Sequence, residues 1–175
     1  MAAGHSLDLE LLPNFSSLPE FAETAPTFAE NALGKAIYYS RYSEHMVFAD
    51  DSGLVVDALG GAPGVLSARH AGPGATDAQK IQKLLQELRG KDGKERAARF
   101  VCVIAVALRG RARDIVSDQV NGLILEELRG SSGFGYDPVF YFPQLQKSFA
   151  ELLPDEKNLH SHRGKAFRRM LEALE

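Results

Sequence analysis

Three polar clusters of the 175-residue chain carry side chains that could do chemistry. They are Asp50-Asp51-Ser52-Gly53, Gly133-Phe134-Gly135-Tyr136-Asp137-Pro138 and Ser161-His162-Arg163. Each lies beside an apolar run and near glycine or proline, so we expect loops there, and loops of this composition carry chemistry more often than packing. Two adjacent carboxylates, an aromatic ring and a His-Arg pair are together suited to holding a purine nucleotide and a divalent cation.

The acidic pair Asp50-Asp51 follows a short apolar run, Met46 to Ala49, which predicts a strand. In extended backbone, adjacent carboxylates point in different directions, so one can bind a hard cation while the other orients or deprotonates a water. Glu23, ahead of the first predicted helix, either adds an oxygen ligand beside Asp51 or only favours the helix dipole. An acidic turn without function is the alternative for the pair.

The aromatic cluster has glycine on both sides of Phe134, which permits close approach of a planar ligand. Stacking of such a ring on a base is typically worth ~1–3 kcal/mol. Asp137 can accept hydrogen bonds from base N–H groups. The alternative is a tight turn that leads into a strand at Val139 and places Phe134 in the core.

Cationic side chains lie around the last predicted helix, with Lys157 before its start and His162 and Arg163 at it. Free backbone N–H groups at a helix N-terminus suit phosphate or a carbonyl oxygen, and these side chains add donors. A solvated polar cap is the alternative. Lys35 lies one turn beyond Asn31 on the first helix, where a lysine is usually solvated.

The elements that must position these clusters alternate between helical and strand patterns, which predicts the α/β class. Apolar spacing and capping residues predict helices over 27–43, from Thr76 to Gly90, and from near Ser161 to the C-terminus. Strands are predicted over Leu7 to Leu12, Met46 to Ala49, Leu54 to Ala58, Phe100 to Leu108, Asp114 to Leu125 and Val139 to Phe142. Asn121-Gly122 predicts a turn or bulge.

Composition excludes several classes of protein. The net charge of −3 gives no strong field toward nucleic acid or an anionic membrane, and no apolar run reaches the ~20 residues of a bilayer span. A single cysteine, Cys102, rules out an intramolecular disulfide, and we expect one domain in the cytoplasm. Neither a P-loop nor a G-x-S-x-G motif is present, so nucleotide binding needs another architecture.

The order and spacing of the motifs resemble the inosine triphosphate pyrophosphatase family, which removes non-standard purine nucleoside triphosphates. The resemblance runs from about Glu20 to the C-terminus. Its first half consists of Thr27 to Ala32 with Lys35, Ala49 to Leu54, Gly60 to Gly64 and Ser67 to Arg69. Its second half consists of Gly133 to Pro138, Glu156-Lys157 and Ser161 to Arg163.

This resemblance implies a two-lobed α/β domain over residues 1–175, with a long twisted mixed sheet flanked by helices and a nucleotide cleft between the lobes. It implies hydrolysis of ITP, dITP or XTP to the monophosphate and pyrophosphate with Mg²⁺, by a homodimer. Asp51 would be the general base and a metal ligand, with Glu23 as the second metal ligand and Asp50 in support. The implied substrate-binding residues are Lys35, Ser52, Phe134, Gly135, Tyr136, Asp137, Lys157, His162 and Arg163.

Nothing before Glu20 matches the S/T-x-T-x-N-x-x-K loop with which the family holds the triphosphate. The sequence would then begin about a strand and a helix late, so we expect weak triphosphate binding with purine preference retained. A nucleotide-binding protein with little or no turnover is therefore the alternative function. A general nucleotide phosphatase that releases orthophosphate is a third.

Overall fold

A computed structural model of the chain describes residues 8–175 and arranges them around one five-stranded sheet. The strands, in both chain and sheet order, are β1 (Val47–Val56), β2 (Ala97–Leu108), β3 (Arg111–Ile124), β4 (Phe140–Phe142) and β5 (Lys147–Ser148). The helices are α1 (Phe28–Tyr39), α2 (Asp77–Glu87), α3 (Pro154–His160) and α4 (His162–Leu174). Every neighbouring pair of these strands is antiparallel.

Strand β2 carries apolar side chains on both faces of the sheet because helices cover both faces. Alternate β2 side chains pack against the small residues Ala32 and Ala36 of α1, while the others pack against Met170 and Leu171 of α4. Full burial of a side chain such as Leu171 contributes about 1.5–3 kcal/mol. The sheet is therefore held between α1 and α4, the two helices that also carry predicted site residues.

A third apolar cluster lies where α2 packs on the sheet. Ile81 and Leu84 of α2 contact a group that includes the stacked rings of Phe100 and Phe149. A capping box at Thr76 begins α2, as the sequence predicts. This cluster supports the loop that carries the predicted aromatic motif, since Tyr136 and Val139 are among its buried members.

The α/β class is confirmed, and so are the three helices and the long central strand. The prediction of two strands with an acidic loop between them is wrong, because Val47–Val56 is one strand and Asp50-Asp51 lies in its middle. Gly53 does not break it. A Cβ there would lie 2.5 Å from the Gly64 carbonyl oxygen, so the glycine admits a neighbouring segment against the strand.

Three further details differ from prediction. Asn121-Gly122 continues β3, and the register shift lies instead at Val106/Ala107 of β2. Residues 8–12 have no regular structure, and Leu7 lies outside the described residues. The sheet over residues 8–175 is antiparallel rather than mixed, since all four pairs of neighbouring strands run antiparallel. No helix in this part of the chain is long and apolar enough to cross a membrane.

Candidate active site

Strand alternation directs Asp50 and Asp51 to opposite faces of β1. The Asn31 amide on α1 donates to Asp51 Oδ2 at 3.0 Å, so Asp51 lies on the α1 face. Arg163 on α4 donates to Asp50 Oδ2 through Nε at 3.1 Å and Nη2 at 2.9 Å. The two carboxylates are therefore neighbours in sequence that serve different sides of the sheet.

The α1 face gathers Asp51, Glu23 and Lys35. Lys35 forms an ion pair with Glu23 and donates to the backbone carbonyl of Asp50 at 2.9 Å. Asn31, buried beneath them, also exchanges hydrogen bonds with the backbone of Ala25 and so ties the segment that carries Glu23 to Asp51. Sequence reasoning missed Asn31, although an amide on the apolar face of a helix is a signal of a buried polar contact.

The pKa values of the two carboxylates also shift in opposite directions. Burial raises the pKa of Asp51, the Asn31 hydrogen bond partly offsets that rise, and the negative charge of Glu23 adds to it. Burial also opposes ionisation of Asp50, but Arg163 and Ser52 outweigh it, so the pKa of Asp50 lies below its usual value. A more basic carboxylate suits a general base, so Asp51 is the better candidate of the two.

The donors on the α1 face fit a hard divalent cation whose shell is completed by ligands other than these side chains. Within residues 8–175, no group of three or more histidine, cysteine or acidic side chains could by itself hold a metal ion. Asp51 and Glu23 offer two carboxylates, and Mg²⁺ is commonly held by one or two carboxylates while waters and substrate phosphates complete its shell. A cation held only by protein ligands is not the arrangement that these residues favour.

The α4 face presents the aromatic motif. Phe134 is 61% exposed, which rules out the core alternative for its ring. Lys157 Nζ lies 4.6 Å from the ring centroid and Arg163 Cζ lies 5.7 Å from it. Asp137 is buried, and its Oδ2 accepts from the Phe134 backbone N–H at 2.8 Å and pairs with Lys157. The ring is thus open to a ligand while its backbone is held in place.

Asp77 holds the next amide of the same loop, and sequence reasoning missed it. Its Oδ2 accepts from Gly135 N–H at 2.6 Å, so carboxylates fix the amides of both Phe134 and Gly135. Asp77 begins α2, and in the sequence it is indistinguishable from a residue that only favours a helix N-terminus. Tyr136 is buried, and its hydroxyl donates to the Ser67 carbonyl at 3.0 Å, which anchors the loop from below.

His162 is the first residue of α4. Its ring stacks on Phe100 with centroids 4.7 Å apart and an interplanar angle of 10°. The imidazole is buried, and its Nδ1 has no hydrogen-bond partner within residues 8–175. Burial, with the charges of Arg163 and Lys157, lowers the pKa of His162 to about 3, so the ring is neutral near pH 7.

The predicted site residues therefore form two groups. Lys35, Asp51 and Glu23 lie on the α1 face, whereas Ser52 donates to Asp50 Oδ2 at 2.8 Å on the α4 face. The α4 group also contains Phe134, Asp137, Lys157, His162 and Arg163. The first group is thus suited to proton transfer and to a metal cation, whereas the second is suited to binding a planar purine.

The profile of the Ham1 family matches residues 1–173. The chain belongs to the Ham1 family. A dITP/XTP pyrophosphatase of Geobacillus kaustophilus is 51% identical over 173 residues, which are 99% of this chain and 85% of that relative. A dITP/XTP pyrophosphatase of Bacillus subtilis is 45% identical over 168 residues, covering 96% and 85% of the two chains.

Solved structures of the Ham1 family agree with this fold. A HAM1 protein from Coxiella burnetii superposes with a TM-score of 0.84 at 45% identity, covering 90% of this chain and 81% of its own. The Ham1 protein of Staphylococcus aureus gives a TM-score of 0.85 at 39% identity, covering 91% and 82%. The α/β architecture around the two groups is therefore that of the Ham1 family.

Burial of His162 predicts a pH-dependent stability for this Ham1-family chain. The unfolded imidazole binds a proton near pH 6.5, whereas the folded one does so only near pH 3, so the unfolded state is the more protonated one between these values. The free energy of unfolding should therefore fall as pH drops below 6.5, by up to about 1.4 kcal/mol per pH unit.

Denaturant unfolding at pH 7, 6 and 5 measures this effect. His162→Asn should flatten the slope of stability against pH, whereas His45→Asn, at an exposed turn, should keep the wild-type slope. An unchanged slope in His162→Asn would show that the imidazole is not held neutral.

Proposed function

We propose that the chain hydrolyses ITP, dITP and XTP to the corresponding monophosphate and pyrophosphate. The observation that carries the proposal is the division of β1: a buried carboxylate of raised pKa lies on one face, and an exposed aromatic ring with two cations near it lies on the other. The dITP/XTP pyrophosphatases that are about half identical to this chain support the same substrate class.

On the phosphate side, Asp51 accepts the proton of the water that attacks the α-phosphorus. Lys35 neutralises phosphate charge, since hydrolysis of a phosphoanhydride needs charge stabilisation and positioning more than covalent help. Asp51 and Glu23 would hold Mg²⁺, which supplies Lewis-acid stabilisation of the phosphate oxygens when bound. Through its three hydrogen bonds, Asn31 holds Asp51 beside the segment that carries Glu23.

On the base side, Phe134 stacks on the purine while Lys157 and Arg163 lie near its ring. The unpartnered Nδ1 of buried His162 and the guanidinium of Arg163 recognise the 6-oxo edge. Adenine carries an amino group at that position, so a protein donor that faces it would stay unpaired once the base is bound. An unsatisfied buried donor costs about 1–3 kcal/mol, which is enough to disfavour ATP.

A colorimetric phosphate assay tests the proposed reaction. ITP, XTP, GTP and ATP are each incubated with the chain and Mg²⁺, with and without added inorganic pyrophosphatase. Phosphate that appears with ITP and XTP, and only when the pyrophosphatase is added, is the expected result. Phosphate without the added enzyme indicates a general phosphatase, and a thermal shift with ITP but no turnover indicates a binding protein.

We further propose a homodimer that acts in the cytoplasm. Large apolar side chains remain exposed, including Leu128, Leu153 and Leu159, and burial of such surface is a common reason for association. Light scattering at micromolar concentration should give twice the mass of the 19.1 kDa chain. A monomer mass across that concentration range would reject the dimer.

A further inference from the structure

We infer that Asp50 is a positioning residue for purine selection, which acts by holding Arg163, and that it takes no part in the attack on phosphorus. The inference rests on the proposed function, because it assigns a role within the same reaction. The inference gives different roles to Asp50 and Asp51, although the two carboxylates are adjacent in the sequence.

The first evidence is the hydrogen-bond geometry of Asp50. Its Oδ2 accepts from Nε and Nη2 of Arg163 at 3.1 and 2.9 Å and from the hydroxyl of Ser52 at 2.8 Å. The Cys102 thiol lies 3.9 Å from the same oxygen. Asp50 is thus fixed by its own strand and the next, and it holds two nitrogens of a planar guanidinium in one orientation.

The second evidence is the direction of the side chain. Asp50 and Asp51 are successive residues of a regular strand, paired with Ile104 and Val103 of β2, so they project to opposite faces. Asp51 contacts Asn31 on the α1 side, where Glu23 and Lys35 also lie. Only the backbone carbonyl of Asp50 reaches that side, as the acceptor of the Lys35 ammonium.

The third evidence is where the held guanidinium lies. Arg163 Cζ is 5.7 Å from the centroid of the exposed Phe134 ring. An arginine on the first turn of α4 without a partner would sample many rotamers. With Asp50 in place, its guanidinium stays beside the ring on which the base stacks, so it meets the edge of that base in a fixed orientation.

The exposure of this ion pair predicts that its loss costs little stability. The side chains of Arg163 and Asp50 are 43% and 33% exposed, and ion pairs at such exposure contribute little to stability. The position of the pair beside the proposed base site, and not a contribution to folding, assigns it to recognition. Loss of the pair should change selectivity far more than it changes the unfolding midpoint.

The test compares kcat/KM for ITP and for ATP in Asp50→Asn, Arg163→Ala and the double variant. Asp50→Asn should lower the ITP-to-ATP ratio at least tenfold and raise KM for ITP more than it lowers kcat. The double variant should have the same ITP-to-ATP ratio of kcat/KM as Arg163→Ala alone, because Asp50 acts through that arginine. A retained ratio with a large fall in kcat, or effects that multiply in the double variant, would overturn the inference.

Two further variants keep the test decisive. Arg163→Lys preserves the charge but not the two-nitrogen contact, so it should also lower the ratio, and it replaces Asp50→Asn if that variant does not fold. Arg169→Lys is the matched control, since Arg169 lies on the same helix as Arg163 but pairs with Asp118 of β3 at 2.9 Å, and this variant should keep the ratio. If the wild-type chain shows no turnover, the proposed function fails, and calorimetric affinities for IMP and AMP then make the same comparison among the variants.

Discussion

Asp51→Asn should lower kcat for ITP by at least ~100-fold and leave the fold intact, since general-base catalysis typically contributes ~10²–10⁴-fold. A carboxamide cannot accept the proton of the attacking water and is a poorer ligand for a hard cation. The substitution keeps the size of the side chain, and burial already opposes ionisation of Asp51, so loss of the charge should not unfold the chain. Steady-state kinetics with ITP and Mg²⁺, together with thermal unfolding, measure both effects.

Asp57→Asn is the matched control for Asp51→Asn. Asp57 follows the end of the same strand, is 63% exposed and pairs only with Arg99 within the described chain, so its loss should leave kcat near the wild-type value. Retention of most of the wild-type kcat in Asp51→Asn would show that another group accepts the proton. Equal losses in both variants would point to a general electrostatic effect.

Phe134→Ala should raise KM for ITP by about 5- to 140-fold, because stacking on a base is worth ~1–3 kcal/mol and 1.4 kcal/mol corresponds to a factor of ten. Chemistry at the phosphate should change less, so kcat should fall by a smaller factor than KM rises. The free energy of unfolding should stay within about 0.5 kcal/mol of wild type, since the ring is mostly exposed.

Ile115→Ala is the matched control for Phe134→Ala, because Ile115 is 46% exposed, lies on β3 and belongs to neither group of the site. Its KM for ITP should equal that of the wild type. A wild-type KM in Phe134→Ala would remove the ring from the binding site. A large loss of stability would instead mean that the ring is structural.

Local patterns in the sequence identified most elements of the fold. The unbroken apolar run from Phe100 to Leu108 identified a strand covered on both faces, and the capping box at Thr76 marked the start of α2. The acidic pair Asp50-Asp51 was wrongly placed in a loop, since polar residues beside glycine favour turns. Pairing with β2 overrides that preference, because each of the ten residues of β1 has a partner on β2.

The polar clusters of the site were also visible in the sequence, but their partners were not. Asp77 contacts Gly135 across 58 positions, and Arg163 contacts Asp50 across 113. Asn31 contacts Asp51 across 20 positions, and a helix pattern gives no sign of which strand residue it will meet. Contacts between residues so far apart in the chain depend on strand register and on how the helices pack against the sheet. The sequence therefore indicated which side chains belong to the site but not which of them contact one another.

The separation of Asp50 and Asp51 across one strand bears on how such a protein can change over evolutionary time. Under the proposed roles, substitutions around Phe134 and Arg163 should alter the choice of purine without disturbing the residues proposed for hydrolysis on the other face. Insertion or deletion of a single residue between the two aspartates would move every later side chain of the strand to the opposite face of the sheet. Base preference can therefore drift or be engineered by point substitution, whereas the length of this strand should hardly vary.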